Sequence, residues 1–239
     1  NVRALLLLRD GTLLVGHRNG LLHCADGACR SVPVGDPEGK LVSALAEATD
    51  GSWWVGTLGN GLYRIGRDGA LISEYDEENG LLQNNVRCLL LDDQERLWIG
   101  SKLGLNRLEG ERMRTFTVHQ GLPNDNIHCA FQDREGNLWF GTDGAGALRY
   151  LGDAYVTFTM KDGLCSDLVM SITADAHGDL WLGTYDNGLC RLDGMAMITT
   201  LDGLPNNTVW CGMLATDGSL WFGTSEGLAL SELLDPDAL

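Results

Sequence analysis

The sequence predicts an all-β fold, a β-propeller of six four-stranded blades of about 40 residues, and three observations support this prediction. A leucine–aromatic–aliphatic–glycine motif recurs six times along the chain. Its glycines are spaced by 40 to 44 residues, at positions 16, 56, 100, 141, 183 and 223. Several short apolar runs, separated by turn residues, fit inside each interval. A period near 40 residues with several strands per repeat is typical of a propeller.

Each repeat opens with a short apolar strand, here called a, that ends at a turn, usually of the Asp-Gly type. Such dipeptides supply the positive φ of a tight hairpin. The third repeat has Glu95 where the others have glycine, which predicts backbone strain there. The a strands are predicted at Val2–Leu8, Leu41–Ala46, Val86–Leu91, Ile127–Gln132, Leu168–Thr173 and Val209–Leu214.

Strand b contains the motif itself, and its apolar residues are consecutive, which predicts burial on both faces. Five repeats have tryptophan at one equivalent position, and the first has Leu14. We interpret this row as packing between blades, because buried aromatic side chains dominate core energetics. Strand c follows a glycine turn, and alternation predicts the outer strand d at Thr115–Val118 and Thr157–Met160. The tryptophans are Trp54, Trp98, Trp139, Trp181 and Trp221.

The repeats run from end to end, which predicts a single domain over residues 1–239. The blades are expected near residues 1–38, 39–83, 84–124, 125–165, 166–206 and 207–239. The last repeat shows no clear strand d after Leu230, so its blade is expected to be incomplete. The alternative is that these six units are part of a seven-bladed or longer array. Asn1 already stands at a strand start, which suggests a segment of a longer protein.

The charge of the chain excludes two classes of partner. Acidic residues outnumber basic ones by 33 to 17, for a net charge of -16. Nucleic acids and anionic membranes attract cationic surfaces, so neither is expected as a partner. No apolar run approaches the roughly 18 residues that span a bilayer, so this chain is not expected to insert into a membrane.

Seven cysteines are present, and they have no metal-ligand spacing, so no metal or cofactor is predicted. Cys24 and Cys29 bracket a hairpin turn, where a local disulfide is possible but not required. Cys88, Cys129 and Cys211 share the third position of strand a. We interpret these three as small core residues, since free cysteine packs as a small hydrophobic side chain.

The segment 133–142 (DREGNLWFGT), followed by a glycine hairpin and a leucine, resembles the two-component regulator propeller repeat. The connector 158–164 (FTMKDGL) resembles the same family. The resemblance implies a sensor region of a bacterial membrane receptor, periplasmic or extracellular, ahead of a transmembrane helix and a kinase or cyclase output domain. It also implies propellers that are typically sevenfold and often in tandem, with adjacent signalling domains as partners.

A ligand is expected at the face where the b–c loops and the starts of strands a meet, because such central depressions are the default binding sites of propellers. Arginine forks there could bind carboxylates, and aromatic faces could stack on rings, which suits a small molecule, an oligosaccharide or a peptide. The predicted ligand-binding residues are Arg3, His17, Arg18, Arg87, Lys102, His128, Asp143, Tyr185 and Trp210.

Catalysis is not predicted. Virginiamycin-type lyases are propellers with a similar tryptophan-containing repeat, and an enzyme of that type would need a histidine base and a metal in the depression. Only His17 and His128 could reach it, and no histidine–carboxylate spacing recurs around them. The sequence therefore favours a non-catalytic sensor domain, with a protein-interaction scaffold and a lyase-like enzyme as alternatives.

Overall fold

The computed structural model describes residues 2–35, 40–152, 154–192 and 196–230. They form 23 strands and three short 3₁₀ turns. The strands are β1 Val2–Leu7, β2 Leu13–His17, β3 Gly20–Ala25, β4 Ala28–Val32, β5 Leu41–Glu47, β6 Trp53–Leu58, β7 Leu62–Ile65, β8 Leu71–Tyr75, β9 Cys88–Leu91, β10 Leu97–Ser101, β11 Gly104–Glu109, β12 Arg112–Phe116, β13 Ile127–Gln132, β14 Leu138–Thr142, β15 Ala147–Tyr150, β16 Tyr155–Phe158, β17 Val169–Ala174, β18 Leu180–Thr184, β19 Leu189–Arg191, β20 Met197–Ile198, β21 Val209–Leu214, β22 Leu220–Thr224 and β23 Gly227–Leu230. The 3₁₀ turns are Val118–Gln120, Met160–Asp162 and Thr200–Asp202.

Consecutive strands pair antiparallel into six sheets, each with the strand order of the chain. Each sheet lies inside one predicted repeat, which confirms the all-β propeller class with six blades. Five sheets have four strands, and the sixth has three described strands, β21 to β23. The segment 231–239, expected to contain no clear outer strand, lies outside the described residues.

The chain divides into two compact units, residues 1–117 and 118–239, with three sheets in each. The prediction of a single domain with the six blade boundaries stays a prediction.

The glycine of the repeat makes room for the next blade. A Cβ atom built on Gly56 would lie 2.5 Å from Cγ1 of Val86, the residue that leads into the next a strand. The same relation joins Gly16 to Val42 at 2.5 Å and Gly183 to Val209 at 2.8 Å. Ordinary carbon contacts are about 3.5–4.0 Å, so only glycine lets neighbouring sheets approach this closely.

The tryptophans of strand b are packing residues, as predicted: Trp54, Trp98, Trp139 and Trp181 are buried and Trp221 is half-buried. The strands β10, β14 and β18 are buried along their whole length, which confirms burial on both faces for these three. In β2 and β22 several residues are half-buried, so the prediction is wrong for the first and last repeats.

Each buried indole N–H of the middle repeats is bonded to an aspartate in the turn that joins strands a and b, a contact that the repeat pattern did not reveal. Trp98 Nε1 donates to Asp92 at 2.8 Å, and the same carboxylate accepts from Arg96 Nε at 2.7 Å. The equivalent bond to Asp133 measures 2.7 Å and that to Asp175 measures 3.1 Å. These carboxylates satisfy a donor that burial would otherwise leave unpaired.

The outer strands begin and end earlier than predicted. Strand β12 ends at Phe116 and β16 at Phe158, so the predictions that reach Val118 and Met160 are wrong at their C-terminal ends. For β16 the reason is local: Thr159 donates its backbone N–H and its hydroxyl to Asp162, at 3.0 and 2.9 Å. This capping box starts a 3₁₀ turn in place of continued strand.

Strain at the third a–b turn is present as predicted, because Glu95 adopts a φ of 59°, in the left-handed region.

Two disulfides are present. Cys24 and Cys29 are bonded, which settles the pairing that the sequence left open. Cys165 and Cys190 form a second disulfide, between the connector before β17 and strand β19, that sequence reasoning missed.

The core assignment of the remaining cysteines holds only in part. Cys88 and Cys129 are half-buried, and burial raises the pKa of the Cys88 thiol to about 12. Cys211 is exposed, so the prediction that it is a core residue is wrong. Cys211 is in strand β21, which belongs to the last described sheet of the second unit. No later described sheet of that unit packs on this sheet, so the Cys211 side chain stays exposed.

Candidate functional site

A β-bulge lies at the same place in the first strand of five sheets, beside the b–c turn. The register shifts between Val2 and Ala4 in β1, and at equivalent pairs in β5, β13, β17 and β21. A bulge leaves one residue outside the ladder and redirects its side chain, which is why bulges are frequent next to binding sites. The bulged residues are Arg3, Ser43, His128, Met170 and Trp210.

Three of the four residues predicted at the starts of strands a are therefore bulge residues. The fourth, Arg87, immediately precedes β9, is half-buried and donates its backbone N–H to Gly100 at 2.8 Å. Sequence reasoning missed Ser43 and Met170 at this position, because it selected charged and aromatic side chains. Aligning the six repeats at the bulge would have found both.

In the first unit, the predicted residues are mostly exposed cations. His17 ends β2 opposite Val2, and its Nδ1 accepts the backbone N–H of Asn19 at 3.2 Å. Arg3, Arg18 and Lys102 are exposed. This unit thus presents Arg3 and Arg18 in one sheet and Arg87 and Lys102 in another, at the b–c ends of those sheets.

A cleft of 200 Å³ lies near the turn that contains Arg18. It is lined by Asn19, Ser31 and Lys40 together with apolar groups, and by none of the nine predicted residues.

In the second unit, His128 and Asp143 lie together. His128 Nε2 is 3.7 Å from Asp143 Oδ2, and the same oxygen accepts the side-chain amide of Asn126 at 2.6 Å. The side-chain amide of Asn124 donates to the backbone oxygen of Asp143 at 2.9 Å. The exposed Asp143 carboxylate is thereby held by one asparagine, and its backbone by another, beside the half-buried His128 imidazole.

Tyr185 and Trp210 also meet in the second unit. Their ring centroids are 5.9 Å apart at an interplanar angle of 80°, an edge-to-face pair. The side chains remain 51% and 47% exposed, respectively. Trp210 Nε1 donates to Ser225 Oγ at 2.9 Å, which fixes the indole orientation.

Backbone hydrogen bonds connect these two pairs. Asp143 forms an isolated bridge with Leu168, whose carbonyl accepts the Tyr185 N–H at 3.1 Å. The Thr208 hydroxyl donates to the Tyr185 carbonyl at 2.6 Å. The b–c loops of this unit are therefore held to the starts of the a strands, and the site residues stand on ordered backbone.

The nine predicted residues thus form two sets, five in the first unit and four in the second. The second set contains two contacts between predicted residues, His128 with Asp143 and Tyr185 with Trp210. Among the described residues, three or more His, Cys, Asp or Glu side chains nowhere converge as metal ligands would. None of the helices described here has the length and apolarity needed to cross a membrane.

Comparison with known proteins gives a family match for four of the six repeats. The two-component regulator propeller family matches residues 80–102, 121–144, 163–186 and 203–226, each match running from a connector into the following b–c turn. Over an alignment of 118 positions, which covers 44% of this chain and 8% of the kinase, the chain is 28% identical to histidine kinase P4 of Formosa agariphila.

Solved structures share the fold. The extracellular domain of the hybrid two component system BT3049 from B. thetaiotaomicron matches with a TM-score of 0.86 and 22% identity, over 96% of this chain and 33% of that one. Virginiamycin B lyase from Staphylococcus aureus matches with a TM-score of 0.73 and 18% identity, over 95% of this chain and 78% of the lyase. This chain spans about a third of the BT3049 domain and a small part of the kinase. It is a β-propeller chain, and four of its six repeats match the two-component regulator propeller family.

Proposed function

We propose that the chain is the ligand-sensing propeller of a bacterial signal-transduction receptor, located outside the cytoplasm and without catalytic activity. The repeat family and the similarity to a histidine kinase support this role. The two disulfides support the location, since disulfides persist in oxidising compartments and are rare in the cytosol. The partners would be the adjacent signalling domains of the same receptor.

The observation that carries the binding proposal is the half-exposed pair of Tyr185 and Trp210. Edge-to-face packing and the bond to Ser225 hold both rings in place, and each residue stays about half exposed, so that aromatic faces remain partly open to solvent. Such faces stack on sugar rings or on aromatic and prolyl side chains, and rigid aromatics lose little entropy on binding. His128, with its neighbouring carboxylate, can supply hydrogen bonds to hydroxyl or amide groups.

The arginines and Lys102 of the first unit suit a ligand with carboxylate groups. We therefore propose a small molecule, an oligosaccharide (uronic-acid oligosaccharides above all) or a peptide. Signalling would follow because the ligand binds one arrangement of the receptor more tightly than another and so increases its population. The output domain would respond to that change in population.

The test is fluorescence titration of the protein with a neutral oligosaccharide, a uronic-acid oligosaccharide and an acidic peptide. One probe should quench the wild type saturably, and Trp210→Ala and Tyr185→Ala should each weaken its binding about tenfold or more. Leu201→Ala is the matched control, because Leu201 is an apolar residue of the same unit that is 95% exposed. Equal affinity in all four proteins would refute the site.

A protein-interaction platform is the second candidate, favoured by the exposed apolar side chains Val2, Leu5 and Leu7 of β1. Their chemistry fits one partner, another blade of this repeat type, because Val42 at the position of Val2 is fully buried against Gly16. Leu5→Glu together with Leu7→Glu should abolish an association measured by analytical ultracentrifugation. Loss of the association with unchanged probe binding would separate this candidate from the sensor proposal.

A further inference from the structure

A cleft of 530 Å³ lies at the end of the β11–β12 hairpin in the first unit. Its lining is Arg107, Glu109, Gly110, Arg112 and Arg114. Strand β11 starts at the b–c turn and ends at the turn into β12. The cleft is therefore at the opposite end of its sheet from Lys102, and it is separate from the ligand site proposed above.

The cleft concentrates positive charge in a chain whose net charge is -16. Three arginines face one glutamate there, and Arg107 pairs directly with Arg114 across the two strands. Like charges directly opposite each other destabilise a sheet. Among the described residues, the one ion pair of the cleft joins Arg107 Nη2 to Glu109 Oε2 at 3.4 Å. An anion between the arginines would relieve this repulsion.

The burial and hydrogen bonding of Arg107 give a second, independent reason to expect an anion in this cleft. The Arg107 guanidinium packs against two aromatic rings, with Cζ 5.5 Å from the Trp98 ring centroid and 5.7 Å from that of Phe116. The residue is only 8% exposed, yet its Nε–H makes no hydrogen bond. A buried charged group without full hydrogen bonding is costly, so such groups are normally paired. The aromatic rings fix the guanidinium at the wall of the cleft with donor capacity unused.

We propose that this cleft binds a divalent oxyanion, phosphate or sulfate, either free or as an ester on a larger molecule. Three arginines and one glutamate leave two positive charges, which a divalent anion balances. Planar guanidinium forks match the oxygens of tetrahedral oxyanions and bind them through charge-assisted hydrogen bonds. Arg107 is the preoriented group, and the exposed Arg112 and Arg114 complete the site from the outer strand.

The test is isothermal titration calorimetry of the whole chain with inorganic phosphate, at an ionic strength held constant with sodium chloride. The wild type should give a saturable heat, and Arg114→Gln should weaken binding about tenfold or more, the loss expected for one charge-assisted hydrogen bond. Arg112→Gln should act in the same direction.

Arg30→Gln is the matched control, because it makes the same change in net charge at the equivalent place of another outer strand. Arg30 of β4 lies opposite His23 of β3, just as Arg114 of β12 lies opposite Arg107 of β11. The control should leave phosphate affinity unchanged. Thermal melts without phosphate check that each variant folds, and Arg114→Gln should melt no lower than wild type because a like-charge pair is removed.

Repeating the titration with sulfate and with phenyl phosphate separates the two sources of the anion. Phenyl phosphate binding as tightly as phosphate supports an ester ligand, and binding of the inorganic ions alone supports a free ion. The proposal is overturned if folded wild type shows no saturable binding of any of the three anions. It is equally overturned if Arg30→Gln weakens binding as much as Arg114→Gln, since binding would then follow bulk charge.

Discussion

Replacing Gly56 by alanine tests how neighbouring sheets pack in the first unit. The added methyl group would lie 2.5 Å from Val86 Cγ1 and 3.0 Å from Val86 Cβ. The first distance is about 1 Å shorter than an ordinary carbon contact. Val86 is fully buried, so it cannot move aside without displacing its own neighbours. We expect Gly56→Ala to lower the free energy of unfolding by about 2–3 kcal/mol, in the upper range for overpacking.

The measurement is urea denaturation followed by tryptophan fluorescence, with Gly56→Ala, Val86→Ala and the double variant beside the wild type. Val86→Ala alone should cost about 2 kcal/mol through lost burial. The double variant should also cost about 2 kcal/mol, because the methyl group added at position 56 would occupy space that the shortened side chain at position 86 leaves free. If the two single losses add in the double variant, the contact between these two residues is not the reason for glycine in the repeat.

Three further predictions concern single groups. Asp92→Ala should lower the free energy of unfolding by about 2–3 kcal/mol in urea denaturation, because it leaves the buried indole N–H of Trp98 without its acceptor and removes the ion pair of the half-buried Arg96. Burial raises the pKa of Asp175, but hydrogen bonds from an indole and from backbone N–H groups outweigh it, so the pKa lies below its usual range. The stabilisation from Asp175 should therefore be complete above about pH 4 and be lost as the pH falls through the lowered pKa, as melting temperatures from about pH 2 to 7 would show. Opening the Cys165–Cys190 disulfide by Cys165→Ser should cost about 3.5 kcal/mol, by the chain-entropy estimate for a separation of 25 residues, in thermal melts beside the wild type.

Each of these has a control within the chain. Asp217→Ala removes an exposed turn aspartate bonded to Ser219, and it should cost under about 1 kcal/mol; a loss as large as that of Asp92→Ala would contradict the indole argument. Asp175→Asn should reduce the fall in melting temperature at low pH. If the melting temperature falls as steeply as in the wild type, other groups cause the loss of stability in acid. Cys24→Ser opens the five-residue separation of the other disulfide and should cost less than opening the longer loop.

The fold was readable from the sequence because its signals are local and repeated. The spacing of the glycines, the Asp-Gly turns and the consecutive apolar runs each report the conformation of a few neighbouring residues, and six copies make chance agreement improbable. The a strands were predicted within two residues of their observed bounds. The outer strands were placed less well, because the alternation at Thr157–Met160 is also compatible with a threonine that caps a 3₁₀ turn.

The candidate site was predicted less completely. The repeats identified the position of Arg3, Arg87, His128 and Trp210, since equivalent positions of a repeat occupy equivalent places. The pairing of Tyr185 with Trp210, and that of His128 with Asp143, was not visible, because each joins residues of different strands or sheets. The Arg107 cleft was missed for the same reason: its charges are adjacent across strands and not along the chain.

The sequence by itself determined the class of fold, the number of sheets and the end of each sheet where a ligand is expected. These follow from propensity, turn chemistry and periodicity, which act between residues close in the chain. The tertiary structure alone decided why the repeat needs its glycine, which carboxylate satisfies each buried indole and which cysteines are joined. Those outcomes depend on distances of a few ångströms between residues from about 6 to more than 25 positions apart, and only the packed chain brings such residues into contact.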